Sequence, residues 1–177
     1  MKTNKMLRIG LSAAVLALVA GAVMSAQDKY TVQAPGGLAF SDFRGYENWQ
    51  VVAVSHSGDE ISVILANPIM MEAFRSGLPA AGKHFPDGSK MTKIHWNAKK
   101  SAEAPAPTTV PDTLNNIDLM ERDSRKFADT GGWGYTQLDY DNATDTYKPH
   151  QNGHDCGFGC HTIVAAKDYV FTAYPRR

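Results

Sequence analysis

Trp49-Gln50-Val51-Val52-Ala53-Val54-Ser55-His56-Ser57-Gly58-Asp59-Glu60-Ile61-Ser62-Val63-Ile64-Leu65-Ala66 carries the clearest structural signal in the chain. Residues 49–54 and 60–66 are rich in β-branched and apolar side chains, and the five residues between them are turn formers. The stretch therefore reads as two strands joined by a turn. In the second strand Ile61, Val63 and Leu65 alternate with Ser62, Ile64 and Ala66. Both alternating sets are largely apolar, which predicts a strand covered on both faces.

Toward the C-terminus, Asn67-Pro68 signals a helix start, a capping side chain followed by proline in the first turn. Ile69, Met70, Ala73 and Phe74 fall on one helical face, and Gly77 supplies the stop. Residues 78–88 form a Gly/Pro loop. Residues 90–96 read as a strand with Met91, Lys93 and His95 on one side and Thr92, Ile94 and Trp96 on the other. Residues 102–111, with Pro105, Pro107 and Pro111, read as an extended loop inside one domain, because too little chain follows to build a second core. Strands are expected at 114–121 and 133–140, a capped helical turn at 123–127 and a helix at 162–167 carrying Ile163 and Val164. Residues 141–155 are acidic and polar. On the N-terminal side, residues 27–37 form an irregular arm and residues 38–49 an aromatic-rich segment. No internal repeat is present. The expected fold is α+β, predominantly an antiparallel β-sheet with a few flanking helices, in a single domain over residues 27–177.

The 177 residues are 43% hydrophobic and 20% charged, ordinary for a globular domain. Residues 1–26 have the form of a cleaved export signal: Lys2, Lys5 and Arg8, an apolar run to Met24, then the small residues Ser25 and Ala26. Three of the 18 basic residues lie there, leaving 15 against 18 acidic ones, a net charge of about −3. That balance argues against nucleic acid or an anionic membrane surface as partner. No later apolar run is long enough to span a bilayer, so the expected location is the periplasm.

Near the C-terminus stands Cys156-Gly157-Phe158-Gly159-Cys160-His161. Two thiols followed at once by an imidazole is the logic of covalent haem attachment, with the histidine as axial iron ligand. The usual spacing between the cysteines is two residues, and here it is three. Gly157 and Gly159 would let a longer loop bulge without steric cost. A Cys156–Cys160 disulfide is natural for an exported chain, but it leaves the adjacent histidine unexplained and closes only a small loop. A zinc site would have to recruit distant His150 or His154. All three readings stay open on the residues alone.

Arg122-Asp123-Ser124-Arg125-Lys126-Phe127-Ala128-Asp129, Gly132-Trp133-Gly134-Tyr135, the Cys156–His161 block and Asp168-Tyr169-Val170-Phe171-Thr172 together resemble the cytochrome P-460 family of periplasmic mono-haem proteins. Weaker similarity reaches back through Asp87-Gly88, Lys93 and Asn67-Pro68. The resemblance implies an antiparallel-sheet homodimer with one haem c per chain, bound covalently by Cys156 and Cys160 with His161 on the iron. It implies oxidation of hydroxylamine or nitric oxide, with electrons leaving to a soluble partner. Lys93 looks like the lysine that hydroxylamine-oxidising members cross-link to a porphyrin meso carbon. Members also carry a distal carboxylate shortly before the haem motif, which points to His154 or Asp155, and Ser62 stands where an active relative has arginine. Phe40, Phe74 and Trp96 are candidate walls of an apolar distal pocket. The related cytochrome c′-beta branch, without the cross-link, implies a non-catalytic alternative that binds nitric oxide or carries electrons. A haem-free binding domain with a Cys156–Cys160 disulfide is the third possibility.

Overall fold

The stretch around Gly58 folds as a hairpin. β1 (Gln50–Ser57) and β2 (Glu60–Ala66) pair antiparallel, and Gly58 takes the left-handed backbone that the turn needs, with φ of +58°. This is a computed structural model describing residues 28–175. The expected export signal at residues 1–26 lies outside the described residues.

Four further strands extend the hairpin: β3 (Lys90–Lys100), β4 (Thr109–Arg122), β5 (Trp133–Asp141) and β6 (Thr146–Pro149). Each pairs antiparallel with the one before it, giving a six-stranded meander in sequence order. Two α-helices, α1 (Pro68–Arg75) and α2 (Gly153–His161), lie among the described residues. The α+β class expected from the sequence is the one observed.

The predicted two-sided burial of β2 is also observed, and it organises the molecule. Leu65, Ile117, Leu119 and Leu138 pack on one face of the sheet against Leu38, Phe40, Phe43 and Tyr46. The aromatic-rich N-terminal segment, built from short 3-10 turns, is therefore the lid of that core. On the opposite face Ala66, Met91, Met120 and Tyr135 meet Met70, Met71 and Phe74 of α1, together with Phe85, Trp133 and Val170. Each fully buried side chain of this size contributes roughly 1.5–3 kcal/mol, so the two faces share the stabilisation.

α1 starts as its sequence dictates. Asn67 Oδ1 accepts from the Met70 amide at 3.0 Å and the Lys90 amide at 3.1 Å, while Nδ2 donates to the Gly88 carbonyl at 2.8 Å. Gly77, with φ of +100°, follows its end. The buried stripe is Met70, Met71, Ala73 and Phe74, and Ile69, expected on it, lies to the side and is 46% exposed.

Two other expectations change. β3 and β4 are longer than predicted, so the proline-rich segment shrinks to a hairpin connection over residues 101–108. Pro111 is tolerated in β4 because the pairing shifts register between Trp96 and Ala98 on β3. The polar stretch 141–155 contains β6 and the first turn of α2. Its polar side chains concealed both elements.

Candidate functional site

Strand pairing lines one wall of a cavity of about 530 Å³. Across the sheet, Ile64 pairs with Lys93, Lys93 with Asp118 and Asp118 with Gln137. One step along the strands, Met91 pairs with Met120 and Met120 with Tyr135. Side chains two apart on a strand share a face, and all seven of these residues line the cavity. The Tyr135 hydroxyl is buried with no hydrogen-bond partner among the described residues. An unpartnered buried hydroxyl is uncommon and asks for a ligand or water.

α2 forms the facing wall, and it explains the three-residue cysteine spacing. Gly153, Cys156, Gly157, Cys160 and His161 stand at i, i+3, i+4, i+7 and i+8, which is one face of an α-helix. These five are the residues of α2 that line the cavity. No bulge is present, so the expectation that both glycines relax a loop is corrected. A Cβ on Gly157 would lie 2.7 Å from Tyr135 Cβ, and one on Gly153 would lie 2.6 Å from the Gln137 amide nitrogen, whereas Gly159 has open space around it. Gly153 and Gly157 let α2 sit directly on β5. The cysteines, one helical turn apart, have Cβ atoms about 5–6 Å from one another, beyond the roughly 3.5–4.5 Å that a disulfide spans. Both thiols are free and exposed, and the disulfide alternative does not suit this geometry. Nor do the described residues contain a cluster of three or more His, Cys, Asp or Glu side chains arranged for a metal ion. His150 bonds Asp139 at 2.8 Å instead of joining the cysteines.

His161 is fixed from three sides. Its ring lies 5.0 Å, centroid to centroid, from both Tyr135 and Phe171. Nδ1–H donates to the Tyr169 carbonyl at 2.5 Å, so the ring nitrogen available to a metal is Nε2. Burial pushes the imidazole below its ordinary value, and the Tyr169 carbonyl only partly opposes this. His161 is thus held neutral, the form that ligates iron.

The carbonyl is aimed by an unusual backbone. Asp168 and Tyr169 are consecutive non-glycine residues with φ of +54° and +62°, a conformation that costs of order 1–3 kcal/mol per residue and needs support. The support is the Asp168 carboxylate, 0% exposed. It accepts from the Phe85 amide at 2.7 Å, His84 Nδ1 at 2.7 Å and the Arg122 guanidinium at 3.2 Å. Arg122 in turn donates to the Gly131 carbonyl and lies over the Trp133 ring. The resembling motifs around residues 122–135 and 168–172 thus converge on one job, holding the segment that orients His161.

Beside Lys93, Asp118 Oδ2 contacts His95 Nε2 at 2.9 Å, and His95 Nδ1 contacts Glu60 Oε1 at 2.5 Å and the Ser62 hydroxyl at 3.1 Å. Burial opposes protonation of His95, but the hydrogen bond and charge of Asp118 and the hydrogen bond of Glu60 outweigh it and raise the imidazole above its ordinary value. Glu60 is lowered: burial works against this, and the hydrogen bond from His95 prevails.

Of the residues singled out in the sequence, Lys93, Cys156, Cys160 and His161 meet at this cavity. His154 and Asp155 do not line it. The His154 ring packs over Gly36, where a Cβ would lie 2.5 Å from the ring, and its Nδ1 contacts Asp155 at 3.0 Å. Phe40 belongs to the opposite face of the sheet and Phe74 to the contacts of α1, and neither they nor Trp96 walls the cavity. Asp118 is the carboxylate that reaches it. In Asn116-Ile117-Asp118-Leu119 it reads as the polar half of an alternating strand, and only register brings it to Lys93.

A haem suits these residues: two thiols on one helix face, a neutral imidazole with Nε2 available, apolar walls and an unpartnered hydroxyl. Comparison with curated proteins returned no match. The Cytochrome P460 family model matches residues 43–172, from the aromatic lid through both cysteines to the segment that aims Tyr169. The chain therefore belongs to the cytochrome P460 family of haem proteins.

Proposed function

We propose that the chain is an exported mono-haem oxidoreductase acting on hydroxylamine, with nitric oxide as a related ligand. One haem c is held covalently by Cys156 and Cys160, and His161 Nε2 ligates the iron. The observation that carries the reading is the direct pairing of Lys93 with Asp118 on a cavity also lined by Cys156, Cys160 and His161.

When bound, the haem supplies an iron site for a small nitrogen ligand and takes up the electrons of its oxidation. The rest falls to the chain. Tyr169 orients His161, and Ile64, Met91 and Met120 would give the haem cavity an apolar wall. Lys93 would supply the amine for a cross-link in which an N–H and a meso C–H bond give way to an N–C bond and an external oxidant takes the two electrons, and Asp118 accepts the proton that leaves with each step of substrate oxidation. Residues 1–26 support export to the periplasm, where a soluble partner takes the electrons, and the working state is a homodimer.

An optical spectrum with a pyridine haemochrome assay tests attachment and cross-link together. The expected result is covalent haem with a Soret band well to the red of ordinary c-type haem, and loss of that shift in Lys93→Ala. An ordinary c-type spectrum in the native protein would remove the cross-link. A second reading, a non-catalytic nitric oxide binder, draws on the apolar residues Ile64, Met91 and Met120 lining the cavity and on Ser62, where an active relative has arginine. Steady-state hydroxylamine oxidation with an artificial electron acceptor separates the two: turnover supports the enzyme, and nitric oxide binding without turnover supports the binder.

A further inference from the structure

We propose that His95 and Glu60 form the proton outlet of the cavity, carrying protons from Asp118 to the solvent at the β1–β2 turn. The inference rests on the reading of Asp118 as the acid/base group.

The route is built into the strand pairing. Asp118 pairs with Lys93 and Glu60 with Asn97, so each carboxylate lies diagonally from His95 on the same face, a separation that long side chains bridge. The imidazole, with its side chain only 9% exposed, contacts Asp118 through Nε2 and Glu60 through Nδ1. Asp118, 43% exposed, opens into the cavity that it lines, and Glu60, 31% exposed and not on that lining, opens to water. The carboxylates that face His95 are Glu60 from β2 and Asp118 from β4; Ser62 also contacts it from β2, and Lys93 on its own strand opposes its charge. Asn115 holds the other Glu60 oxygen at 3.4 Å.

The transfer balances without any redox partner. A weak acid bound in the cavity gives its proton to Asp118. From the state in which His95 is neutral with its proton on Nδ1, the Asp118 O–H bond then breaks as Nε2–H forms. Nδ1–H breaks as the Glu60 O–H forms, and Glu60 releases the proton to water. Rotation of the ring or return of a proton through solvent restores the starting tautomer. Neither His95 nor Glu60 touches the ligand, so both are relay residues.

The test uses the haem-loaded full chain and two ligands. Hydrogen cyanide must lose a proton to bind ferric haem, whereas carbon monoxide binds ferrous haem with no proton transfer. By stopped-flow, Asp118→Asn, His95→Gln and Glu60→Gln are each expected to slow cyanide association by about a hundredfold, the lower end of what positioned acid–base groups contribute. In His95→Gln and Glu60→Gln, carbon monoxide association should stay at the native rate. If Asp118→Asn slows cyanide but His95→Gln and Glu60→Gln do not, the outlet is wrong and the role of Asp118 stands. If Asp118→Asn has no effect, the acid/base reading itself falls, and the outlet with it. A haem-independent measurement accompanies these: NMR titration of the His95 imidazole in the full chain, expected to move down in both Glu60→Gln and Asp118→Asn. A His95 titration indifferent to both would overturn the relay.

Discussion

The two glycines between the cysteines look equivalent in the sequence and are not equivalent in the fold. Gly157 faces Tyr135 at a distance that admits no Cβ, whereas Gly159 faces open space. Gly157→Ala should therefore destabilise the protein by about 1–3 kcal/mol, the usual cost of overpacking. Gly159→Ala should be neutral or stabilise by up to about 1 kcal/mol, because alanine loses less entropy in a helix. Urea denaturation of the two variants reads the difference, and equal effects would contradict helical packing of α2. The residue types of the site were legible in advance. Cys156, Cys160, His161 and Lys93 stood out through their chemistry and their resemblance to the family. Asp118 did not, because one carboxylate on a strand looks like any solvated residue until the register is known.

Two elements depend on single side chains. Asn67 caps α1 and also ties it to β3 and to the Gly88 carbonyl through three hydrogen bonds. Asn67→Ala should cost about 2 kcal/mol, at the upper end of N-cap values, measured by thermal or urea unfolding. This cap was readable from Asn67-Pro68 because its bonds are local. The segment at residues 168–172 is different, since its anchor draws on His84, Phe85 and Arg122. Asp168→Ala takes from Arg122, whose side chain is 8% exposed, its nearest and fully buried counter-charge and leaves only the half-exposed Asp87 at 3.9 Å. The expected loss is about 3–5 kcal/mol, with a weakened hold on Tyr169 and hence on His161. Equilibrium unfolding gives the first quantity, and the ferric–ferrous midpoint potential of the loaded protein gives the second. A variant as stable as the native chain would mean that Asp168 does not anchor this segment. α2 escaped detection for a related reason: its helical period is written in glycines and cysteines, not in leucines.

For the molecule as a whole, stability should depend on pH through the face of the sheet that carries His95. A histidine raised in the native state stabilises fully below its ordinary value of 6.5, and that contribution is lost as pH rises through the higher native value. Glu60, lowered in the native state, stabilises above its ordinary 4.5, and its share is lost as pH falls through the lower native value. The midpoint of urea unfolding should therefore fall on the alkaline side of 6.5 and again on the acid side of 4.5. His95→Gln should flatten the alkaline limb. An unchanged alkaline limb in that variant would place the dependence elsewhere.

Strand alternation, the Gly58 turn, the Asn67 cap and the adjacency of Cys160 to His161 were determined by the sequence itself, because each expresses a preference acting over a few residues. The antiparallel α+β class and the chemical character of the site followed from them. Tertiary structure alone decided that Lys93 stands beside Asp118, that His95 links it to Glu60, and that residue 168 supports residue 161. These relations come from strand register and from a buried charge pair spanning the chain. A shift of one residue in register would send the strand side chains among them to the other face, and no local pattern in the sequence reports where that register locks.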